Sequence, residues 1–233
     1  MKTVHDNLIA IKSEIQKIAL NCGRDPKTIE LIAVSKTKPV SLIEEAIHAG
    51  QRSFGENYVQ EGVEKINYFK EKMPDISLNW HFIGPLQSNK TKLVAENFDW
   101  MHTIDRFKIA QRLNDQRPST MPKLNVLIQV NISNESTKSG IKPDEVIDLV
   151  KQIRTLPNLN LRGLMAIPEI EDDFDKQLSV FSKMQLLLQQ LQHDYPFMDT
   201  LSMGMSGDMK AAIFAGSTMV RIGTAIFGSR IYL

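Results

Sequence analysis

A lysine closes the run "IELIAVSK" at residues 29–36, and Thr37, Lys38 and Pro39 follow at once. A primary amine at the end of a buried strand has two fates. It can lay its stem on apolar neighbours and carry its charge to solvent, or, if burial or a nearby cation keeps part of it deprotonated, it can condense with a carbonyl to an imine. Arg221 and Lys38 are cations that could act in that way on Lys36. The residue alone leaves both readings open, and the first is the commoner. A second pattern lies near the other end, in "SMGMSGD" at 202–208 and "RIGTAIFG" at 221–228. Each sets a glycine and a hydroxyl residue ahead of a helix start, Ser206 with Gly207 and Gly223 with Thr224. Backbone N–H groups and side-chain oxygens can converge there on an anion. The plainer account is a pair of tight turns in which Ser206 or Asp208 serves as an N-cap.

Other reactive residue types give less. His81 stands inside an apolar strand pattern, where a lone histidine is usually a hydrogen-bonded core group, and no Cys, His or carboxylate stands at metal-ligand spacing to it. His5, His48, His102 and His193 are scattered, so no metal site is expected. The patterns of a nucleophile elbow, a P-loop and a dinucleotide-binding loop are all missing. The acidic pairs Glu44–Glu45 and Asp172–Asp173 read as solvated faces of a helix and a loop.

The elements that must position these residues alternate in type. Short β-rich runs, "LIAVSK", "RSFGEN", "LNWHFIG", "DWMHTI", "LNVLIQVNI", "LNLRGLMAI", "DTLSMG" and "TMVRIGTAIFG", are separated by stretches of helical spacing. Strict alternation implies right-handed crossovers and a parallel sheet. Eight units in 233 residues suit a closed (β/α)8 TIM barrel, read as one domain over 1–233, better than an open sheet. "QRPSTMPK" at 116–123 is the most loop-like segment.

In such barrels the chemistry gathers at the C-terminal ends of the strands, and phosphate is often bound after strands 7 and 8. The residues at those ends are Lys36, Asn57, His81 to Gly84, His102, Asn131, Met165, Gly204 to Gly207 and Arg221 to Thr224. Both candidate loops fall at the two phosphate positions, which favours a phosphate cup. Lys36 would end strand 1, beside strand 8 across the closure, so a small phosphate-bearing ligand could lie between lysine and cup.

The chain has 28 Lys and Arg against 27 Asp and Glu, a net charge of +1 that gives no field for nucleic acid or acidic membranes. The single cysteine, Cys22, suits a reducing compartment. The N-terminus "MKTVHDNLIAIKSEIQKIAL" lacks a signal-peptide core and instead fits an amphipathic helix with Val4, Leu8, Ile11, Ile15, Ile18 and Leu20 on its apolar side. These features together suggest a cytoplasmic protein, and a charged exterior with few apolar patches suggests a monomer.

Seven blocks in order, "AVSKTKP", "FGENYVQE", "HFIGPLQSNK", "VNISNESTKSGI", "LRGLMAIP", "LSMGMSGDMKAAI" and "VRIGTAIFGSR", closely resemble the YggS/PROSC family of pyridoxal phosphate homeostasis proteins. That family looks like the barrel half of alanine racemases, the fold type III enzymes of pyridoxal 5′-phosphate (PLP), standing alone. The resemblance implies that Lys36 holds PLP as a reversible Schiff base. It places the cofactor phosphate at Ser206, Gly207, Gly223 and Thr224, and Arg221 at the pyridine nitrogen. Asn57 and His81 match residues that line the pocket. Gly207 departs from the family, which commonly shows another residue there. An arginine beside the ring nitrogen disfavours its protonation and weakens the ring as an electron sink. Racemases take a second acid/base, a tyrosine, from an additional β domain, and no counterpart is expected here. The resemblance therefore implies a protein that holds PLP and delivers it to PLP-dependent apo-enzymes, with a weak amino-acid racemase as the alternative. Lys38 and Lys138 are candidates for a secondary PLP-docking amine.

Overall fold

Thr3 opens the first helix, α1 (Val4–Asn21), with a capping box: its hydroxyl accepts from the Asp6 N–H while the Asp6 carboxylate accepts from the Thr3 N–H. Val4, Leu8, Ile11, Ile15 and Ile18 are buried, as the spacing predicts. Leu20 is 61% exposed, because it lies two residues, about 200°, beyond Ile18 on the helix. Ala19 takes the buried position instead. The computed structural model describes residues 2–133 and 139–229.

After α1 the chain follows one pattern eight times. The strands are β1 (Glu30–Val34), β2 (Ser53–Glu56), β3 (Asn79–Phe82), β4 (Trp100–Ile104), β5 (Leu124–Gln129), β6 (Leu159–Met165), β7 (Thr200–Ser202) and β8 (Met219–Ile222). Between and after them run α2 (Val40–His48), α3 (Val59–Lys72), α4 (Thr91–Asn97), α5 (Phe107–Gln116), α6 (Val146–Ile153), α7 (Phe174–Asp194), α8 (Met209–Phe214) and α9 (Thr224–Phe227). The strands pair in parallel in sequence order and close β8 onto β1, so the expected eight-stranded barrel is present. Helix α1 packs against α2, α8 and α9 and completes the outer ring at that closure.

The strands are shorter than their apolar patterns suggest. "TMVRIGTAIFG" splits at Gly223 into β8 and α9, and "LNVLIQVNI" ends as a strand at Gln129. Glu44 and Glu45 are half-buried rather than solvated: Glu44 accepts from the Tyr68 hydroxyl and Glu45 from the Val4 N–H. Asp172 and Asp173 are exposed, and Asp173 caps α7 through the Lys176 N–H.

Alternation along the strands divides the buried residues into two sets. Phe54, Trp80, Phe82, Met101, Val126, Leu161, Leu201 and Val220 point outward into the layer between sheet and helices. Ile32, Trp100, Leu127, Met165 and Met219 form a separate cluster inside the barrel. The interior also holds polar side chains. His81, His102, Ser202 and Arg221 are all within 4% of full burial, and the His81 ring stacks on Trp100 with centroids 5.4 Å apart.

Burial in this cage pushes His81 down to about 3 and His102 well below the ordinary histidine value. Both rings are neutral in the folded protein at pH values where the unfolded chain protonates them. Depressed values make their contribution to stability complete above about pH 6.5 and progressively lost below it. Unfolding free energy from urea titrations should fall between pH 6.5 and pH 5 with a slope approaching about 1.4 kcal/mol per pH unit for each ring. A flat profile over that range would show that the two rings take up protons in the native state as readily as in the unfolded chain.

Candidate functional site

Ser35, Lys36 and Thr37 leave β1 at its C-terminal end, and their backbone is under strain. Thr37 has φ +62°, a left-handed conformation that costs a β-branched residue about 1–3 kcal/mol. Three charged side chains from β2 and α3 hold it there. The Thr37 N–H donates to Glu61 Oε1 at 2.6 Å. The Lys65 ammonium donates to the Ser35 carbonyl (2.7 Å), to Glu56 Oε1 (2.8 Å) and to Glu61 Oε1 (2.7 Å). The Ser35 hydroxyl also donates to Glu56 Oε1, at 2.6 Å. Burial raises the pKa of Glu56 against the pull of Lys65 and Ser35, and its second oxygen, Oε2, has no hydrogen-bond partner. Lys36 is thus mounted on a turn fixed from both flanks.

Lys36 lines a cavity of about 340 Å3 at the C-terminal ends of the strands. The same cavity is lined by Asn57, Ser206, Gly207, Arg221, Gly223 and Thr224, so seven of the eight predicted site residues meet there. Asn57 follows β2, and its backbone carbonyl is approached so closely by Gly84 that a Cβ at residue 84 would lie 2.2 Å from it. The Asn57 Oδ1 atom is buried without a hydrogen-bond partner. Ser206 and Gly207 lie in a turn closed by Asp208, whose carboxylate accepts from the Met205 N–H at 2.6 Å. Asp208 occupies the N-cap position of α8 but spends its side chain on that turn. A Cβ at Gly207 would meet nothing within 4 Å, so glycine here leaves the mouth of the cavity open rather than relieving a clash. Gly223 passes 3.2 Å from the Val34 carbonyl, measured from its would-be Cβ, and brings the first turn of α9 against the end of β1.

Arg221 is 4% exposed and comes from the interior of β8. Its guanidinium donates to Ser202 Oγ at 2.7 Å and to the Ala166 carbonyl at 3.1 Å. Burial lowers its pKa to about 10, which leaves it charged at neutral pH. The cavity therefore has a cation at its floor, hydroxyls at its exposed mouth and an amine on one wall.

His81 is the predicted residue that does not line the cavity. Strand alternation points it into the barrel axis, fully buried against Trp100 and bonded to His102, as a core histidine. Lys38 does not line it either, and its ammonium donates to the carbonyls of Gly228 and Ser229. Lys138 lies outside the described residues. A wider cleft of about 580 Å3 opens between α1 and the starts of β1 and β2. None of the predicted site residues lines it, and the strand ends that carry chemistry in a parallel barrel face the other way.

The alanine racemase N-terminal domain model matches residues 7–231. The chain is 61% identical over 232 residues to the pyridoxal phosphate homeostasis protein of Vibrio cholerae serotype O1, covering 100% of this chain and 98% of that relative. Identity to the protein of the same name from Escherichia coli K12 is 59%, over 100% and 99%. The chain belongs to the pyridoxal phosphate homeostasis protein family. PipY, the COG0325 family member of Synechococcus elongatus PCC7942, solved with PLP bound, superimposes with a TM-score of 0.83 at 32% identity over 97% of this chain and 100% of PipY. Alanine racemase from Clostridium difficile 630 shares the fold, with a TM-score of 0.69 at 16% identity over 95% of this chain and 58% of the racemase. The family resemblance read from the seven sequence blocks is borne out.

Glu56, Glu61 and Lys65 were not among the residues singled out in the sequence, although Lys65 carried a signal. It falls on the apolar stripe of α3 with Val63, Ile66 and Phe69, four residues after Glu61. A lysine on a buried stripe requires an internal partner. Replacing it as Lys65→Met leaves the Glu56 carboxylate buried without its cation. The variant should lose about 3–5 kcal/mol in urea unfolding at pH 7, and adding Glu56→Gln should recover much of the loss.

Proposed function

We propose that this protein binds PLP through Lys36, holds it reversibly as a monomer in the cytoplasm and hands it to PLP-dependent apo-enzymes. The supporting observation is that Lys36, the charged Arg221 and the hydroxyls of Ser206 and Thr224 line one cavity. When bound, PLP supplies an aldehyde that joins a primary amine reversibly and a phosphate dianion that needs donors.

The residues present fit that group. Ser206, Gly207, Gly223 and Thr224 offer hydroxyl and backbone donors at a helix start for the phosphate. Lys36 offers the amine. The unpartnered Asn57 Oδ1 offers an acceptor and Arg221 a fixed cation that disfavours protonation of a basic ring nitrogen beside it. Among the described residues lining this cavity, Lys36 and Arg221 alone are ionisable, and a guanidinium does not give up its proton, so the wall offers Lys36 as its single candidate for proton transfer. That composition favours a holder over an amino-acid racemase, which moves protons on two faces. The turn at Ser35–Thr37 fits the same role, since it fixes the backbone that carries Lys36 while the mouth at Ser206, Gly207 and Thr224 stays exposed to exchange.

Borohydride reduction of the PLP-loaded protein, followed by peptide mass mapping, should place a phosphopyridoxyl group on the peptide containing Lys36. Lys36→Ala should abolish it there. Label on another lysine in both proteins would sink the assignment. The delivery step is tested by mixing loaded protein with an apo-enzyme: activation should outpace spontaneous release measured with a trapping amine.

A further inference from the structure

A continuous line of polar side chains runs down the barrel axis from the floor of the cavity. Arg221 on β8 donates to Ser202 Oγ on β7 (2.7 Å), Ser202 Oγ lies 2.9 Å from His102 Nδ1 on β4, and His102 Nε2 lies 2.9 Å from His81 Nδ1 on β3. His81 Nε2 has no hydrogen-bond partner, and its nearest charged atom is Glu30 Oε1 at the start of β1, 3.8 Å away. Glu30 Oε1 itself accepts from the Ser53 hydroxyl on β2. Trp100 covers one face of His81, and Ala166 takes the second donor of Arg221.

Chemistry allows the hydrogens along this line only one consistent direction. A guanidinium is a donor and never an acceptor, so Ser202 Oγ accepts from Arg221. If His102 Nδ1 also carried a hydrogen, Ser202 would accept twice and its own O–H would be buried without an acceptor. A buried donor without an acceptor forfeits its bond to water with nothing in return. In the same arrangement His102 Nε2 would accept from His81 Nδ1–H, and His81 would turn a lone pair towards the Glu30 carboxylate. With the hydrogens reversed, Ser202 donates to His102, His102 donates through Nε2–H to His81, and His81 presents Nε2–H to Glu30. Each bonded pair then has one donor and one acceptor, and the single N–H left without a hydrogen bond, His81 Nε2–H, faces a carboxylate 3.8 Å away.

From this geometry we infer that Ser202, His102 and His81 form a one-way hydrogen-bond chain, closed electrostatically by Glu30, that positions Arg221 as a fixed donor at the floor of the cavity. Ser202 is a positioning residue: its hydrogen is committed to His102, so its lone pairs are kept for the guanidinium. The role rests on the PLP reading insofar as the cation serves a bound cofactor. The chain itself is a property of the protein without ligand. It also gives His81 and His102 a use beyond packing, since an apolar pair in their place would leave Ser202 free to rotate away from Arg221.

Nitrogen-15 NMR of the histidine rings in the protein without PLP tests the direction. Both rings should be neutral with the proton on Nε2 at pH 7, and a proton on Nδ1 of either ring overturns the chain whatever ligand the cavity takes. Ser202→Ala tests the consequence. Arg221 Nη–H signals, protected in the parent protein, should exchange faster, and PLP affinity should fall roughly 10- to 100-fold. Ser202→Thr, which keeps the hydroxyl, should restore both. Unchanged Arg221 exchange in a folded Ser202→Ala protein overturns the positioning role, and if that variant fails to fold the parent ring tautomers decide alone. A parent protein that showed the tautomers and Arg221 protection but took up no PLP would refute the proposed function and leave the chain standing.

Discussion

Strand β1 pairs with strand β8 along Glu30–Ala33, with Ile32 opposite Arg221 and Ala33 opposite Ile222, and the site exists because of that closure. The residues that gather at the cavity come from opposite ends of the sequence: Lys36 leaves β1, while Arg221, Gly223 and Thr224 end β8 or follow it. In an open sheet of eight strands those segments would sit on its two edges. The parallel ladder makes them neighbours. Gly223 then passes the Val34 carbonyl at a distance that a side chain would crowd, and α1 packs on α2, α8 and α9 outside the same seam.

Closure also creates the electrostatic difficulty that the rest of the interior resolves. Arg221 must face the cavity from a strand position that points into the barrel, where burial disfavours its charge. The interior supplies oriented dipoles in place of a carboxylate in direct contact, through Ser202, the Ala166 carbonyl and two neutral histidines. On the outer side of the sheet the opposite solution appears. Glu56, Glu61 and Lys65 are an ionic cluster between β2 and α3, and their purpose is mechanical: they hold Thr37 in a conformation it would otherwise leave. One network positions a cation and the other fixes the backbone on either side of Lys36, from opposite faces of the same sheet.

The sequence disclosed the scaffold more fully than the supports. The order and number of strands were legible because a parallel barrel buries both faces of its strands and writes them as apolar runs. Lys36, Ser206 and Arg221 were legible because strand ends in this fold are where chemistry collects. His81 divided the two routes to the sequence. Read as a residue in a strand, it was a core histidine, which it is. The family resemblance put it on the cavity wall, and strand alternation turns it away. Glu44 and Glu45 could not be placed because their partners, Tyr68 and the Val4 N–H, are 24 and 41 residues distant. Ser202 was hidden for the same reason: a serine on β7 has no local feature that reveals a contact with His102, 100 residues earlier.

The distribution of rigidity bears on what such a cavity can do. Its inner parts, the Arg221 guanidinium and the backbone around Lys36, are each held by two hydrogen bonds, whereas Ser206, Gly207 and Thr224 are exposed. A racemase needs acid and base fixed on both faces of its substrate and water kept out. A carrier needs a firm grip at the covalent end and an accessible phosphate end, so that a competing amine or an acceptor protein can reach the link. Gly207, where added bulk would meet nothing, extends that opening. The clamped turn at Ser35–Thr37 and the open mouth at Ser206, Gly207 and Thr224 are thus complementary parts of one cavity. The clamp fixes the backbone that carries Lys36, and the exposed mouth leaves the cavity open to approach.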